Sequence, residues 1–353
     1  MCGQFSGSVL DSSGALNSNI VIYAISQGLP AICGNEGKMK FIKEYRDGDR
    51  VFDIYLCKHK QAMVTKNGKS YESVILQDKT GTLDAKVWEP NNPGIGEYDS
   101  LDYIEVYGEI TSFQGSLQVN VKRIRRCQEG EYQPENYLPM SSKNIEEMYR
   151  ELTGLISSIQ NKYLKNLLES FFVEDESFKK AFCNSSAAKT VHHGFVGGLL
   201  EHTLSVTKLC DYYCGAYPVL KRDLLLTAAM CHDIGKVREI SPFPENDYTD
   251  DGQLLGHIVM GSQMIGERAA QIPGFPHELL AQVQHCVLAH HGKYEFGSPK
   301  IPAIIEALAL NYADDTDAKM ETFKEILDNA RDTGWIGYNR LFDSNLKASR
   351  IDF

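Results

Sequence analysis

Ala229-Met230-Cys231-His232-Asp233-Ile234-Gly235-Lys236 places a His-Asp doublet at the end of an apolar run, and the rest of the chain is organised around it. Leu224, Leu225, Ala228 and Ala229 recur at helical spacing, so His232 and Asp233 continue a stripe that faces the core. A carboxylate buried beside an imidazole is costly unless something neutralises and orients both, and a divalent cation does so. Taken alone, a His-Asp dipeptide is more often a buried hydrogen-bonded pair or a helix-terminus pair.

Further candidate ligands overturn that plain reading. His202 falls in a helix expected from about Val196 to Tyr217, sharing a face with Leu199, Val206 and Leu209. His257 opens a helix backed by Met260, Met264 and Ile265, and His290 and His291 close one carrying Leu279, Val283, Cys286 and Val287. Asp314 follows Ile304, Ala307 and Leu308 on a long helix. Imidazole and carboxylate groups on the apolar faces of successive helices are a metal-binding pattern; one such histidine would be an ordinary core residue.

The 353 residues are enough for two or three domains. Hydrophobic residues make up 42% and charged residues 24%, a soluble globular composition with no apolar run long enough to cross a bilayer. Nine cysteines are scattered without CxxC pairs, which argues against a disulfide framework and for a reducing, cytoplasmic setting. Cys231 reads as a small core residue. A net charge of −11 would discourage a polyanionic partner, but Met39 to Cys127 holds 14 Lys/Arg against 13 Asp/Glu. The acidity therefore lies mostly in the later half, where bound cations would neutralise it.

Residues 1–38 are rich in Gly, Ser and Asn and lack the features of a signal peptide. Lys38-Met39-Lys40-Phe41 reads as a natural start, so 1–38 is expected to be an extension or a start-site artefact; Asn19 to Ile25 is a candidate strand without a partner. From residue 39 to 127, five alternating segments predict strands at Arg50–Cys57, Ser70–Leu76, Thr82–Trp88, Tyr103–Ile110 and Ser116–Ile124. Asp78-Lys79-Thr80-Gly81 and Phe113-Gln114-Gly115 supply glycine-bearing turns. Five short strands imply a small barrel, and SVILQDKTGTLDAKVWEP resembles the central hairpin of OB-folds, which bind single-stranded nucleic acid.

In the third segment Leu83, Ala85 and Val87 point inward and Asp84, Lys86 and Trp88 outward. Trp88 beside Lys86 provides base stacking and phosphate contact, or else Trp88 closes the end of the barrel. Tyr103 and Tyr107 extend that platform, and Lys122, Arg123, Arg125 and Arg126 form the densest basic run, either a guide for a nucleic-acid backbone or a solvated strand end. Gln128 to Met140 has two prolines and no periodicity, giving a linker over 128–141. Helices are expected over 142–353, with Ser142 capping the first and others at Asn161–Phe172 and Glu174–Phe182. In AAKTVHHGFVGGLLEHT, Ala187 to Thr203, His192 and His193 belong to the pocket rim or surround the ligands, or are surface histidines of a loop. Glu201, beside His202, either orients a ligand or water or, the plainer expectation, occupies an exposed helix position.

The ordered series His202, His232-Asp233, Asp314 resembles the metal-dependent HD-domain phosphohydrolases, and His257, His290 and His291 resemble the additions of their two-metal branch. With the OB-like barrel, the linker, AAKTVHHGFVGGLLEHT, HDIGK, HHGKYEFGSP and DDTDAK, the stretch from Met39 to Trp335 resembles the YhaM-type 3′→5′ exoribonucleases. HHGKYEFGSP departs from the cyclic-dinucleotide phosphodiesterases, whose pattern continues into a Gly-Tyr-Pro signature absent here.

The resemblance implies an N-terminal five-stranded OB-fold barrel followed by an all-α HD domain. It assigns His202, His232, Asp233 and Asp314 to the core metal site and His257, His290 and His291 to a second, with Asp233 bridging. Seven ligands leave positions open on two octahedral ions for water and phosphate oxygens. Mixed imidazole and carboxylate donors suit Mn²⁺, Fe²⁺, Co²⁺ or Zn²⁺ over Mg²⁺, and the resemblance favours Mn²⁺. Two cations about 3.5 to 4 Å apart would clamp nucleophile and leaving group and activate a water, with Asp233 and Lys236 as the catalytic pair. Lys236 would meet a phosphate oxygen, where the plain alternative is a helix C-terminal lysine; Asp317 would support a ligand. The implied substrate is single-stranded RNA, with single-stranded DNA as a second, and self-association would add binding sites. Two rivals stand beside it: an HD phosphohydrolase of nucleotides or cyclic dinucleotides, and a non-catalytic single-strand-binding protein.

Overall fold

A computed structural model describes residues 39–113, 115–189, 193–328, 330 and 334–349. The expectations for residues 1–38, Gln114 and His192 fall outside these. Five strands, β1 (Arg50–Val64), β2 (Ser70–Asp78), β3 (Gly81–Val87), β4 (Tyr103–Phe113) and β5 (Ser116–Arg126), close into a barrel in the order β1-β2-β3-β5-β4. All pairings are antiparallel except β3 with β5, which is parallel. The alternation read in the sequence produces this: Val74, Leu76, Leu83, Ala85, Val87, Val106, Ile110 and Val119 all point into one sealed core with Tyr55. Each of the Val, Leu and Ile side chains contributes roughly 1.5–3 kcal/mol on burial. β1 runs seven residues past its expected end because His59 to Val64 stays paired with β2, after an irregularity at Lys58.

The segment without periodicity is nonetheless ordered. Tyr132 stacks on Tyr103 of β4 at 3.7 Å between centroids, Gln77 Nε2 donates to the Tyr137 carbonyl, and Tyr137 and Leu138 are buried with Leu56 and Val196. Side-chain contacts, invisible to a periodicity argument, pack it between barrel and helices.

The helical half contains α1 (Ile145–Ser157), α2 (Lys162–Phe172), α3 (Glu176–Asn184), α4 (Gly198–Ala216), α5 (Arg222–Cys231), α6 (Lys236–Glu239), α7 (Asp250–Ala269), α8 (His277–Leu288) and α9 (Ile305–Asp328). Asn144, not Ser142, caps α1: its side chain accepts from Glu147 N, a contact for which Ser142 lies two residues too early. A helix kink at Gly256 (φ +75°) makes His257 the first residue of the second stretch of α7. Leu225, Ala228, Met230, Ile265, Val283, Val287 and Leu310 form one core around α5, which is buried along its length.

The expectation of helices to the end fails at the C-terminus. β6 (Trp335–Asn339) and β7 (Ser344–Lys347) form an antiparallel hairpin, with Phe342 of its turn packed on Phe323 of α9. Trp-Ile-Gly-Tyr followed by Asn-Leu-Lys across a four-residue turn carries β-propensity that the helical neighbourhood obscured. No helix among the described residues is long and apolar enough to cross a membrane.

Candidate metal centre

α5 ends at Cys231, and the chain turns through His232 to Gly235 before α6 begins at Lys236. Gly235 is required at this turn, since a Cβ there would lie 2.0 Å from the His257 carbonyl oxygen. The close crossing brings the His-Asp doublet against α7. His232 and Asp233 are buried, as the apolar stripe predicted.

Asp233 lies between two groups of potential ligands. Its Oδ2 is 3.3 Å from His232 Nε2 and 3.6 Å from His202 Nε2, while Asp314 Oδ1 is 3.1 Å from His202 Nε2. Its Oδ1 faces the other way, 3.4 Å from His257 Nε2 and 3.7 Å from His290 Nε2. His202, His232 and Asp314 form one cluster whose ligand atoms lie within 4.8 Å of one another, and His257, His290 and His291 form another. All seven expected ligands therefore converge, from α4, α7, α9 and the turns after α5 and α8.

Every ring in this set is held in the same sense. His232 Nδ1 bonds the Ala229 carbonyl, His290 Nδ1 that of Val287 and His291 Nδ1 that of Phe296, at 2.7, 2.6 and 2.9 Å. His202 Nδ1 meets Asp317 Oδ2 at 2.7 Å, and His257 Nδ1 meets Glu239 Oε1 at 2.9 Å. An acceptor at each Nδ1 places the proton there and leaves Nε2 as an inward lone pair. The two Nε2 atoms of His202 and His232 then face each other at 3.2 Å. Asp233 Oδ1, His257 Nε2 and His290 Nε2 are buried with no hydrogen-bond partner, an arrangement that costs several kcal/mol unless a cation completes it. The donor set fits divalent metal ions.

Before a cation binds, the carboxylates around His202 favour a second proton on its Nε2, which a metal ion would displace. Burial would lower the His202 pKa, yet the Asp314 and Asp317 carboxylates raise it to about 10. Burial would raise Asp314, and His202 and His232 instead hold it well below the usual carboxylate range. For Asp233 burial also opposes the charge, and Lys236 and His232 overcome it. Burial, with His291 and His232 nearby, keeps His290 neutral and available as a ligand.

Lys236 opens α6, so the reading of it as a helix C-terminal lysine does not apply; its Nζ is 2.7 Å from Asp233 Oδ2. Asp317 holds His202 and also His193, whose Nε2 lies 3.1 Å from Asp317 Oδ2. His193 is buried, which excludes the surface-loop reading for that residue. Glu201 corrects another expectation. It is buried, with Ser141 Oγ donating to it at 2.5 Å and Lys143 Nζ at 2.8 Å. Together with the Met140–Val196 bridge, this ties the end of the linker to the start of the helix carrying His202.

Glu239 and the backbone acceptors were missed in the sequence. Glu239 takes both the His257 N–H and its ring nitrogen, but Lys-Val-Arg-Glu reads as a solvated helix turn.

On the barrel, the expected contacts separate. Trp88 lies just beyond β3, outside the barrel core, packed on Tyr71 at 5.0 Å with Nε1 donating to Asn120 Oδ1. Lys86 donates to Ser73 Oγ at 2.7 Å. Tyr107 instead pairs with Phe52 and sits opposite Arg123, on β1, β4 and β5. Lys122 and Arg123 are exposed, whereas Arg125 and Arg126 are engaged by Glu105, Glu131 and Asp102. One continuous platform is thus replaced by two aromatic pairs, because closure puts β5 between β3 and β4.

Residues 199–319 match the family described as HD domain. Among solved structures, the second OB-fold domain of replication protein A from Methanococcus maripaludis aligns with 26% of this chain and 98% of its own, at 17% identity and a TM-score of 0.19. The curated 3′-5′ exoribonuclease YhaM of Geobacillus sp. (strain WCH70) is 35% identical over 296 residues, covering 83% of this chain and 89% of its own. That identity spans far more than the ligand-bearing helices, and the chain belongs to the YhaM 3′-5′ exoribonuclease family.

Proposed function

We propose that the protein is a metal-dependent 3′→5′ exoribonuclease that removes nucleoside 5′-monophosphates from single-stranded RNA, with single-stranded DNA as a second substrate. The observation that carries this reading is the Asp233 carboxylate, with one oxygen toward His202 and His232 and the other toward His257 and His290. Residues 39–127 grip the strand, 128–141 connect, and the helices from 142 onward cut.

His202, His232 and Asp314 would hold one cation and His257, His290 and His291 the second, with Asp233 placed to serve both. Two divalent cations bound there would stabilise negative charge on the phosphate and lower the pKa of a bound water toward neutrality. Imidazole-rich ligation suits Mn²⁺, Fe²⁺, Co²⁺ or Zn²⁺, and Mn²⁺ is our choice. Asp317 and Glu239 keep the Nδ1 protons of His202 and His257, fixing both rings. The Lys236 ammonium, beside Asp233, meets a non-bridging phosphate oxygen of the substrate. Trp88 with Tyr71, and Lys122 with Arg123, supply stacking and backbone charge on the barrel. A soluble cytoplasmic setting fits this substrate.

The test is incubation of 5′-labelled single-stranded RNA with the protein and Mn²⁺, with products resolved by length. A ladder shortening from the 3′ end, lost with EDTA and in Asp233→Ala, is the expected result. Intact RNA together with hydrolysis of a mononucleotide or cyclic dinucleotide would replace this reading with a small-nucleotide phosphohydrolase. RNA bound but uncut would leave a binding protein.

A further inference from the structure

The His290-His291-Gly292-Lys293-Tyr294-Glu295-Phe296-Gly297 loop does more than deliver two ligands. It is pinned at both ends by glycines in the left-handed region, Gly292 (φ +78°) and Gly297 (φ +84°), around a 3₁₀ turn at Tyr294–Phe296. Asn311 Nδ2 donates to the His290 carbonyl, and the Phe296 carbonyl accepts from His291 Nδ1. This fixed turn leaves Tyr294 66% and Phe296 60% exposed. The ammonium of Lys293 lies 5.2 Å from the Phe296 ring centroid.

The loop stands at the mouth of the metal centre. His202, His232 and Asp233 side chains are at most 4% exposed, whereas those of His257, Lys236 and Asp314 are 13, 14 and 15% exposed, so the centre is least covered at these three groups. His291, whose ring lies 5.4 Å from that of His257, borders the first of them. The linker from the barrel docks on the start of α4, on the His202 side of Asp233, through Ser141, Lys143 and Glu201. The barrel thus joins the helical half on the His202 side of Asp233, and the aromatic loop lies beside the His257, His290 and His291 group on the other side.

We propose that Tyr294 and Phe296 seat the base of the 3′-terminal nucleotide by stacking, an inference that rests on the exonuclease reading above. Rigid exposed rings accept any base by its π-face, so the seat positions the terminal residue without selecting sequence. Holding that residue aligns the phosphate before it with Asp233 and Lys236.

The test measures kcat/KM for the first cut on three Mn²⁺-supplemented substrates: intact single-stranded RNA, the same RNA with a tetrahydrofuran abasic residue at its 3′ end, and one with that residue next to the end. The wild-type protein is expected to lose on the order of 5- to 100-fold with the terminal abasic residue and less with the penultimate one. Tyr294→Ala and Phe296→Ala should lose a similar factor on intact RNA but cut the terminal-abasic RNA as the wild type does, which also shows that they are folded. Phe296→Leu, keeping apolar bulk, should behave as Phe296→Ala does. Equal losses on intact and terminal-abasic RNA, or no loss on either, would overturn the seat. Failure of the wild type to shorten any of the three would remove the exonuclease reading and the seat with it.

Discussion

In the helical half, His202, His232 and His290 are buried, each donates from Nδ1 to a fixed acceptor, and each Nε2 faces a neighbouring ligand. On the barrel, Trp88, Tyr107, Lys122 and Arg123 are exposed, and they divide between two aromatic pairs. The first region concentrates its chemistry where water cannot soften an error, so removal of one group should be felt by all. The second offers separate contacts in water, so under the proposed strand-binding role each loss should be modest and additive.

The largest effect is expected where both ligand groups meet. Asp233→Asn should reduce turnover by about 10³-fold or more, the scale of losing a central transition-state stabiliser. Steady-state rates with Mn²⁺ check this; a loss below tenfold would mean the centre does not depend on a bridging carboxylate. Next is Asp317→Asn, which leaves every ligand in place but weakens the hold on His202. A loss of about 10- to 100-fold in Mn²⁺ affinity is expected, read by titrating metal against activity and against thermal stability. An unchanged affinity would show that Asp317 serves only the packing of His193.

These two expectations also mark what the sequence makes legible. Histidines and aspartates on apolar stripes stand out because burial without a partner is expensive, so His202, His232, Asp233 and Asp314 could be picked out before any fold was known. Their backbone acceptors could not, since Ala229, Val287 and Phe296 act through carbonyls that every residue possesses. Glu201 reads as exposed and Glu239 passes unnoticed because a carboxylate on a helix is ordinarily solvated, and only the tertiary placement of Lys143 and His257 reverses that. The strands were legible from alternation, but the grouping of Trp88, Tyr107 and Arg123 was not. It depends on the order in which a barrel closes, which alternation along single strands does not encode. The C-terminal hairpin was lost for the opposite reason: its strands are too short to assert a period against the helices before them.

The barrel should respond on a smaller scale. Trp88→Ala is expected to weaken single-stranded RNA binding by about 1–3 kcal/mol, the worth of one stacked base. The loss should fall on KM, with kcat at saturating RNA within about twofold, since Trp88 contacts Tyr71 and Asn120 of the barrel and none of the ligand residues. Fluorescence-anisotropy titration and initial rates distinguish this from a structural role, in which both would fall along with thermal stability. Smallest of all, Lys122→Ala and Arg123→Ala should each reduce the slope of log affinity against log salt by about 0.7. Arg125→Ala, whose charge is already met by Glu105 and Glu131, should change that slope less. If Arg125 has the larger effect, the backbone path runs elsewhere on the barrel.

The central claim is that one buried carboxylate joins two cation sites, and electron paramagnetic resonance of the Mn²⁺-loaded protein reads it most directly. Two ions per chain with an exchange-coupled spectrum, replaced by an uncoupled signal or by loss of an ion in Asp233→Asn, is the predicted result. One ion per chain, or two that are uncoupled in the wild-type protein, would contradict it.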